Sequence, residues 1–412
     1  MSRRILVLIL AIRITEGKQT ILMDPIEIAT KDAKQIYSFW SSLSDEENGG
    51  FYGRMDFDLK VHKKAQKGVI LNSRILYFFS QYAMVMKEDG ALQEAKNAYE
   101  FLKKAVDRTY GGVYWSLDYK GRPLSRNKHT YNLAFAIYAL SYYYKATKDE
   151  EAIELAYSLY QTIEDKCRDK DGPRYYKEEQ KEDFTYKDNI ELSENGVLAT
   201  RTMNTALHVL EAYTGLYMAK PSEEVGNSLQ SILDLFLGKI YDPEKKRLGV
   251  FFDKDYNSIL DLESYGHEIE TSWLLLEAAD ALQDEKLTAR ILPVSMDLAE
   301  SVRIRAYDEP FIINEKVKNH LDQTRVWWIQ AEAVNGYLNC YQRTGNKDFY
   351  DLAMTILTGI QDYFLDYRPN SEWFWDLDDW NKPSSRKDIV EPWKCPYHNG
   401  RMCFEILTRL NK

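Results

Sequence analysis

Hydrophobic residues recur every three or four positions along most of the chain, a spacing that places them on one face of an α-helix. Few prolines or glycines interrupt these stretches. The pattern predicts twelve helices, at 24–43, 72–87, 91–107, 129–147, 149–166, 204–220, 222–240, 266–283, 286–306, 325–344, 347–367 and 395–411. Short connections alternate with longer ones, so the helices are predicted to form six pairs.

The longer connections between pairs are rich in glycine, aromatic residues and aspartate, and they resemble one another. Four of them are "GGFYGRMDFD" (49–58), "GGVYWSLDYKGRP" (111–123), "RLGVFFDKDYNS" (247–258) and "EWFWDLDDW" (372–380). Their alternating aromatic residues predict short strands or hairpins. A helix pair that recurs about every 60 to 70 residues indicates a repeat architecture. Six such pairs can close into a ring, so we predict an all-α (α/α)6 barrel with short β-hairpins at one rim.

The N-terminal residues differ from the rest of the chain. Two arginines precede an apolar run at 5–12, which is how a secretory signal begins. Arg13 ends the run, no small-residue cleavage site follows, and so few residues cannot cross a membrane. We interpret 1–22 as an N-terminal extension, disordered or signal-like, with Met23 as an alternative start. Residues 23–412 are predicted to form a single domain.

Charge and cysteine content restrict the classes of partner. The formal net charge is -10, and the basic residues are spread along the chain, which disfavours nucleic acid as a partner. The four cysteines include no C-x-x-C pair, which disfavours a zinc site and favours free thiols in a reducing compartment. We therefore predict a cytoplasmic protein that binds neither nucleic acid nor membrane.

Polar residues recur where the predicted inner helices begin. In a double ring of helices the inner ones begin at the rim that carries the long loops, so these residues should converge on one cavity. They are Asn72 and Arg74, His129 and Tyr131, Asn204 and His208, His267 and Glu270, Trp328 and Glu332, and His398 and Arg401. The spacing of these residues predicts a functional site at that rim.

The histidines are candidates for acid/base chemistry. Asn204 and His208 are four residues apart and His267 and Glu270 three apart, so each pair shares a helix face. A carboxylate beside a histidine can fix which ring nitrogen carries the proton. An ordinary ion pair would also explain either pair taken alone.

A metal site is the competing interpretation of these histidines. The stretch "HEIET" begins like the zinc motif H-E-x-x-H, but Thr271 stands where the second histidine would be. We therefore predict no metal and no cofactor. Histidine has an ordinary pKa of about 6.5, which suits proton transfer near neutrality.

Six blocks carry a family resemblance that extends from about Met23 to the C-terminus. They are "NSRILYFFS", "GGVYWSLDYKGRP", "NTALHVLEAYTGLY", "GHEIETSWLLLEAA", "WWIQAEAVNGY" and "WKCPYHNGRMCFE". In these blocks the chain resembles the cellobiose 2-epimerases of the N-acylglucosamine 2-epimerase superfamily. The resemblance implies an (α/α)6 barrel in which His267 and His398 are the catalytic acid/base pair.

The same resemblance implies roles for further residues. Arg54, Asn204 and His208 would surround the reacting carbons, and Glu270 would be the partner of His267. The other predicted substrate-binding residues are Tyr131, Trp328, Glu332, Trp380, Trp393 and Arg401.

The reaction that this resemblance implies is inversion at C2 of the reducing-end glucose in β-1,4-linked disaccharides such as cellobiose, lactose and mannobiose. Two histidines on opposite faces of a planar cis-enediolate would remove one proton and return another. The protein is expected to be a monomer or a weak homodimer.

Other functions are also compatible with the sequence. The same histidine pair could serve an aldose–ketose isomerase or an N-acylglucosamine 2-epimerase that acts on monosaccharides. A glycoside hydrolase on the same barrel would need two inward-facing carboxyl groups, and the chain has 64 Asp and Glu residues. A non-catalytic helical scaffold would not need polar residues concentrated at one rim.

Overall fold

The computed structural model describes residues 24–169, 176–185 and 199–411, and the predicted extension at 1–22 lies outside them. The described residues contain twelve α-helices, all at the predicted places. They are α1 Pro25–Ser41, α2 Val69–Met86, α3 Ala91–Lys104, α4 Thr130–Thr147, α5 Glu150–Thr162, α6 Met203–Ala219, α7 Glu223–Leu235, α8 Tyr265–Ala281, α9 Glu285–Ala306, α10 Trp327–Thr344, α11 Lys347–Gly359 and α12 His398–Leu410.

Three of the predicted helices change their hydrogen bonding before they end. A π-helical turn continues α5 at Ile163–Cys167, α7 at Phe236–Ile240 and α11 at Ile360–Phe364. The apolar spacing of three to four residues persists through these turns. The sequence pattern therefore predicts the helix length but not the switch to π hydrogen bonding.

The even-numbered helices form a closed inner ring. Each of α2, α4, α6, α8 and α10 contacts the next even-numbered helix, and α12 contacts α2 and closes the ring. The odd-numbered helices form an outer layer, in which α3, α5, α7, α9 and α11 pack on the preceding inner helix and α1 packs on α12. This double ring confirms the predicted (α/α)6 barrel. No helix in the described ranges is long and apolar enough to cross a membrane.

The two layers begin their helices differently. Five outer helices have a polar N-cap whose side chain accepts a backbone N–H, namely Asp24, Asp149, Ser222, Asp284 and Asn346. Five inner helices instead follow directly from a short strand at the rim. The paired strands fix where the inner helices begin, and therefore where their first side chains lie.

The strands are short and lie in the loops. They are β1 Lys67–Gly68, β2 Ser116–Leu117, β3 Pro123–Ser125, β4 Lys128–His129, β5 Glu179–Gln180, β6 Arg201–Thr202, β7 Tyr241–Asp242, β8 Arg247–Leu248, β9 Phe251–Phe252, β10 Leu262–Ser264, β11 Tyr307–Asp308, β12 Phe311–Ile312, β13 Glu315–Val317, β14 His320–Asp322, β15 Arg325–Val326 and β16 Asp376–Leu377. All pairs are antiparallel, in sheets β1-β2-β3, β10-β13-β14, β4-β5, β6-β9, β7-β8, β11-β12 and β15-β16.

The predicted hairpins are found only in part. The connections at 111–123, 247–258 and 372–380 carry strands, whereas 49–58 makes isolated bridges, including one between Met55 and Val390. The β13–β14 hairpin was not among the predicted elements. It pairs with β10, directly before α8, and so places a small sheet beside the rim.

Two long connections repeat the same buried ion pair. Lys67 Nζ lies 2.7 Å from Asp45 Oδ2, and Lys128 Nζ lies 2.7 Å from Asp107 Oδ2, with all four side chains almost fully buried. Each aspartate follows an outer helix and each lysine precedes an inner one. A Gly-Gly pair with positive φ follows each aspartate after three residues. The ion pairs therefore join the end of one helix pair to the beginning of the next.

We predict that Gly50→Ala destabilises the protein more than Gly345→Ala. Both glycines have nearly the same backbone angle, with φ of 69° at Gly50 and 70° at Gly345. Alanine in that conformation costs about 1–2 kcal/mol at either position. A Cβ at Gly50 would lie 2.6 Å from Phe101 Cγ, whereas a Cβ at Gly345 meets nothing within 4 Å. Overpacking therefore adds about 1–3 kcal/mol at Gly50 only. Urea unfolding of both variants measures the difference, and equal losses would contradict this account of the turn.

Candidate active site

A cavity of about 880 Å³ opens at the rim where the inner helices begin. All six inner helices, or the residues directly before them, contribute to its lining. The predicted site residues that line it are Tyr131, Asn204, His208, His267, Glu270, Trp328, Trp393 and His398. The structure therefore brings eight of the twelve predicted residues together around one space.

The other four predicted residues lie elsewhere. Glu332 and Arg401 are buried next to the cavity residues, and neither is part of the lining. Arg54 is half-exposed, and its Nε donates a hydrogen bond to Asp388 Oδ2 at 2.6 Å, which holds the guanidinium outside the cavity lining. Trp380 is 82% exposed on a turn. Arg54 and Trp380 therefore lie outside the cavity lining, and their contact with the sugar stays a prediction.

His398 is held by a carboxyl group through one ring nitrogen. Its Nδ1 lies 2.7 Å from Glu332 Oε1, and its side chain is only 8% exposed. Burial, followed by the positive charge of Arg401, lowers the pKa of His398 well below its usual range. Burial therefore favours the neutral form of His398, and Nε2 is its remaining nitrogen for proton transfer.

His267 has a different partner from the one predicted. Its Nδ1 lies 2.6 Å from Ser264 Oγ, at the end of β10. The carboxyl group of the predicted partner, Glu270, instead faces α12, where Arg401 Nη2 donates a hydrogen bond to Glu270 Oε1. Burial lowers the pKa of His267 to about 3, so this imidazole is also neutral.

The indole of Trp328 contacts both of these histidines. Its ring centroid lies 4.8 Å from that of His267 and 5.3 Å from that of His398. Gly266 permits this approach, because a Cβ there would lie 2.5 Å from Trp328 Cη2. Two neutral imidazoles therefore lie beside one aromatic ring in the same cavity.

His208, like His398, has a carboxyl partner. Its Nδ1 lies 2.9 Å from Glu211 Oε2, three residues later on α6. Burial opposes ionisation of Glu211, but the charge of Arg401 and the hydrogen bond with His208 outweigh it and lower the pKa of Glu211 to about 2. Glu211 was not predicted, although its spacing from His208 is the same as that of Glu270 from His267.

The guanidinium of Arg401 joins these groups. Its Nη2 donates to Glu270 Oε1 at 2.5 Å and to Glu332 Oε1 at 2.7 Å, and its Nη1 donates to Glu211. We call Arg401, Glu211, Glu270 and Glu332 the Arg401 cluster. Sequence reasoning expected Arg401 to bind substrate and Glu270 to pair with His267. In the structure, Arg401 instead holds the carboxyl groups that hold His208 and His398.

Arg74 is a cavity residue that the sequence pattern indicated only as one of the polar helix starts. Its side chain is buried and lines the cavity, and its Nη2 donates to Tyr131 Oη at 2.8 Å. The guanidinium carbon lies 4.1 Å from the centroid of the Phe135 ring. A buried cation here can stabilise negative charge that develops on a bound molecule.

Several lining residues come from loops that the helical pattern could not place. They are Trp115, Glu178, Asn314, Asp322, Trp375 and Lys387. Burial raises the pKa of Glu178 to about 7, although Thr202 and Thr205 donate hydrogen bonds to its carboxyl group. In the sequence, only the alternating aromatic residues of the loops indicated that this part of the chain contributes to the site.

The donor atoms of Glu270, Glu332 and His398 lie within 4.8 Å of one another, close enough to share a metal ion. The same oxygen atoms of the two glutamates already accept hydrogen bonds from Arg401. A metal ion would have to bind beside a fixed positive charge and compete for those oxygens. The geometry thus suits an acid/base network better than a set of metal ligands.

Comparison with known proteins agrees with this geometry. The N-acylglucosamine 2-epimerase (GlcNAc 2-epimerase) family matches residues 50–399. The chain is 45% identical to a cellobiose 2-epimerase of Ruminococcus albus, with 93% of this chain and 98% of the relative covered. It is 46% identical to a cellobiose 2-epimerase of Eubacterium cellulosolvens, with 91% and 96% covered.

A solved structure of a cellobiose 2-epimerase from Bacillus thermoamylovorans has a TM-score of 0.89 and 40% identity, with 93% of this chain and 99% of that chain covered. The family match extends from before α2 to the first residues of α12. The chain is therefore a carbohydrate epimerase and belongs to the N-acylglucosamine 2-epimerase family.

Proposed function

We propose that this protein inverts C2 of the reducing-end glucose in β-1,4-linked disaccharides, converting cellobiose to glucosyl-mannose and lactose to epilactose. The observation that carries the proposal is the placement of two neutral histidines, His267 and His398, against the same Trp328 in the cavity. The similarity to cellobiose 2-epimerases supports the choice of a disaccharide.

The proposed reaction begins when the sugar ring opens and exposes an aldehyde at C1. One histidine removes the proton at C2, and the planar enediolate forms. The other histidine, which has taken up a proton from solvent, returns that proton to the opposite face of C2, and the first histidine then releases the abstracted proton to solvent. The negative charge on the enediolate favours the protonated form of a nearby histidine, and Glu332 stabilises that form on His398.

The enediolate oxygen needs hydrogen-bond donors that are already in position. Arg74, Asn204 and His208 line the cavity and can provide them. Arg74 carries a permanent charge and is already oriented by Tyr131. We propose that Arg74 takes the role that sequence reasoning assigned to Arg54.

We further propose that residues 23–412 act as one catalytic domain, as a monomer or a weak homodimer in the cytoplasm. The four cysteines are buried and unpaired, as expected for a reducing compartment.

The proposed function is tested by incubating the protein with cellobiose in deuterated water and following the sugars by NMR. We expect glucosyl-mannose with deuterium at C2 and an intact β-1,4 linkage, because the returned proton comes from a group that exchanges with solvent. A ketose product would indicate an isomerase, and free glucose would indicate a hydrolase. Unchanged cellobiose without deuterium would contradict an enzymatic role on this sugar.

We predict that His267→Asn and His398→Asn each reduce turnover of cellobiose at least about a hundredfold, because each histidine serves one face of the enediolate. His62→Asn is the matched control, since His62 lies outside the cavity lining and pairs with Asp56. Circular dichroism checks that the variants are folded. Retention of more than about a tenth of the wild-type turnover by either cavity variant would rule out the pair.

Trp393 is predicted to help select disaccharides. It lines the cavity, and its ring centroid lies 5.8 Å from Tyr131 and 6.0 Å from Trp115. A ring at this position can stack on a second sugar, which would contribute about 1 kcal/mol. Trp393→Ala should therefore narrow the difference in kcat/KM between cellobiose and glucose.

Tyr367→Ala is the control for this prediction, because Tyr367 is 68% exposed and outside the cavity lining. It should leave the ratio of kcat/KM for cellobiose and glucose unchanged. A wild-type preference for glucose or N-acetylglucosamine would argue against the disaccharide assignment.

A further inference from the structure

Glu270 differs from the other two carboxyl groups of the Arg401 cluster in how its oxygens are bonded. Its Oε1 accepts a hydrogen bond from Arg401, whereas its Oε2 is buried without a hydrogen-bond partner among the described residues. Glu332 uses Oε1 for Arg401 and His398 and Oε2 for Trp273. Glu211 likewise has partners on both oxygens. Of the four residues in the Arg401 cluster, Glu270 alone is part of the cavity lining.

The charges of the cluster do not balance if all three carboxyl groups are ionised. Arg401 supplies one positive charge, and burial lowers the pKa of both His208 and His398, so neither adds a second one. A buried charge without a partner is very costly, and such a group takes up a proton instead. Glu211 and Glu332 have donors on both oxygens, so Glu270 is the member that best tolerates a proton.

The surroundings of Glu270 also favour its protonated form. Burial, followed by the charge of Glu332, raises the pKa of Glu270 above its usual range, and Arg401 only partly opposes this. The titratable and charged groups that face it are Glu211 on α6, Glu332 on α10, Tyr397, His398 and Arg401 at α12, and Tyr131 on α4.

We propose that Glu270 is a catalytic residue that works as a neutral carboxylic acid, donating a hydrogen bond from Oε2 to the sugar oxygen on which negative charge develops. This rests on the proposed epimerase function. The proton stays on Glu270 throughout, so the step adds a hydrogen bond and transfers no atom. A neutral acid in a buried site can stabilise an oxyanion without adding a negative charge of its own.

The position of Glu270 fits this role. It lies one helical turn after His267 on α8, and its Oε1 is 3.9 Å from His398 Nδ1. Glu270 also lines the same cavity as His267 and His398, so a sugar whose C2 lies between the two histidines would lie beside this carboxyl group.

The test compares the same substitution at two positions of the cluster. Glutamine at 270 reproduces a neutral glutamic acid, since its amide oxygen accepts from Arg401 and its NH2 group donates towards the sugar. We expect Glu270→Gln to keep turnover of cellobiose within about tenfold of wild type. Glu270→Met removes the donor and should lower turnover about a hundredfold or more.

Glu332→Gln is the matched control. Glu332 accepts from Arg401 and Trp273 and contacts His398, so an NH2 group in its place would face other donors. We expect this variant to lose at least about a hundredfold in turnover. A loss in Glu270→Gln as large as that in Glu332→Gln would overturn the proposal, and so would a Glu270→Gln chain that cannot fold.

A second measurement detects the proton without any sugar. With a raised pKa, folded Glu270 keeps its proton while the unfolded chain releases it, so wild-type stability falls as pH rises above the usual glutamate range of about 4.3. Glutamine does not titrate. The Tm of Glu270→Gln minus the Tm of wild type should therefore increase from pH 5 to pH 7.5.

If the Tm difference between Glu270→Gln and wild type is the same at pH 5 and pH 7.5, Glu270 does not keep a proton in the folded protein, and the proposal is wrong. If wild type shows no turnover of cellobiose, the proposed function fails, while the Tm comparison still decides whether Glu270 holds the proton. The two failures can thus be told apart.

Discussion

The interior of the barrel depends on the positive charge of Arg401. Its guanidinium comes from α12, is 1% exposed, and contacts carboxyl groups from α6, α8 and α10. Removing one partner of a buried ion pair costs about 3–5 kcal/mol, because the other charge is left without compensation. The same guanidinium therefore fixes four inner helices relative to one another and sets the positions of the carboxyl groups that hold His208 and His398.

The closed ring explains why the cavity residues come from positions far apart in the chain. Each inner helix contributes at most three side chains to the cavity lining. Strands such as β4 and β10 end directly at the helix starts, so they hold His129 and Ser264 at the rim. The loops then add aromatic side chains such as Trp393. The cavity is therefore built by two kinds of element, the inner helices of the ring and the loops at its rim.

The sequence predicted the ring well because helix periodicity and the repeat of helix pairs are local signals. It brought eight of the twelve predicted site residues to the cavity for the same reason, since most of these eight stand at helix starts. The pairing of side chains within the site was harder to predict. Ser264 is the hydrogen-bond partner of His267, and Arg401 binds glutamates from three other helices, a set of long-range contacts that helix periodicity does not encode. Arg54 lies outside the cavity lining because the carboxylate of Asp388, more than three hundred positions away in the chain, holds it at the surface.

The low pKa values of the cavity histidines bear on the proposed proton transfer. Burial lowers the pKa of His267 to about 3, whereas proton transfer is most effective when the pKa is near the working pH. In the proposed reaction the enediolate places negative charge between the two imidazoles, which favours the protonated form of each. Each imidazole therefore becomes a stronger base as negative charge develops on the sugar. In the proposed mechanism the substrate itself completes the electrostatic environment that proton transfer needs.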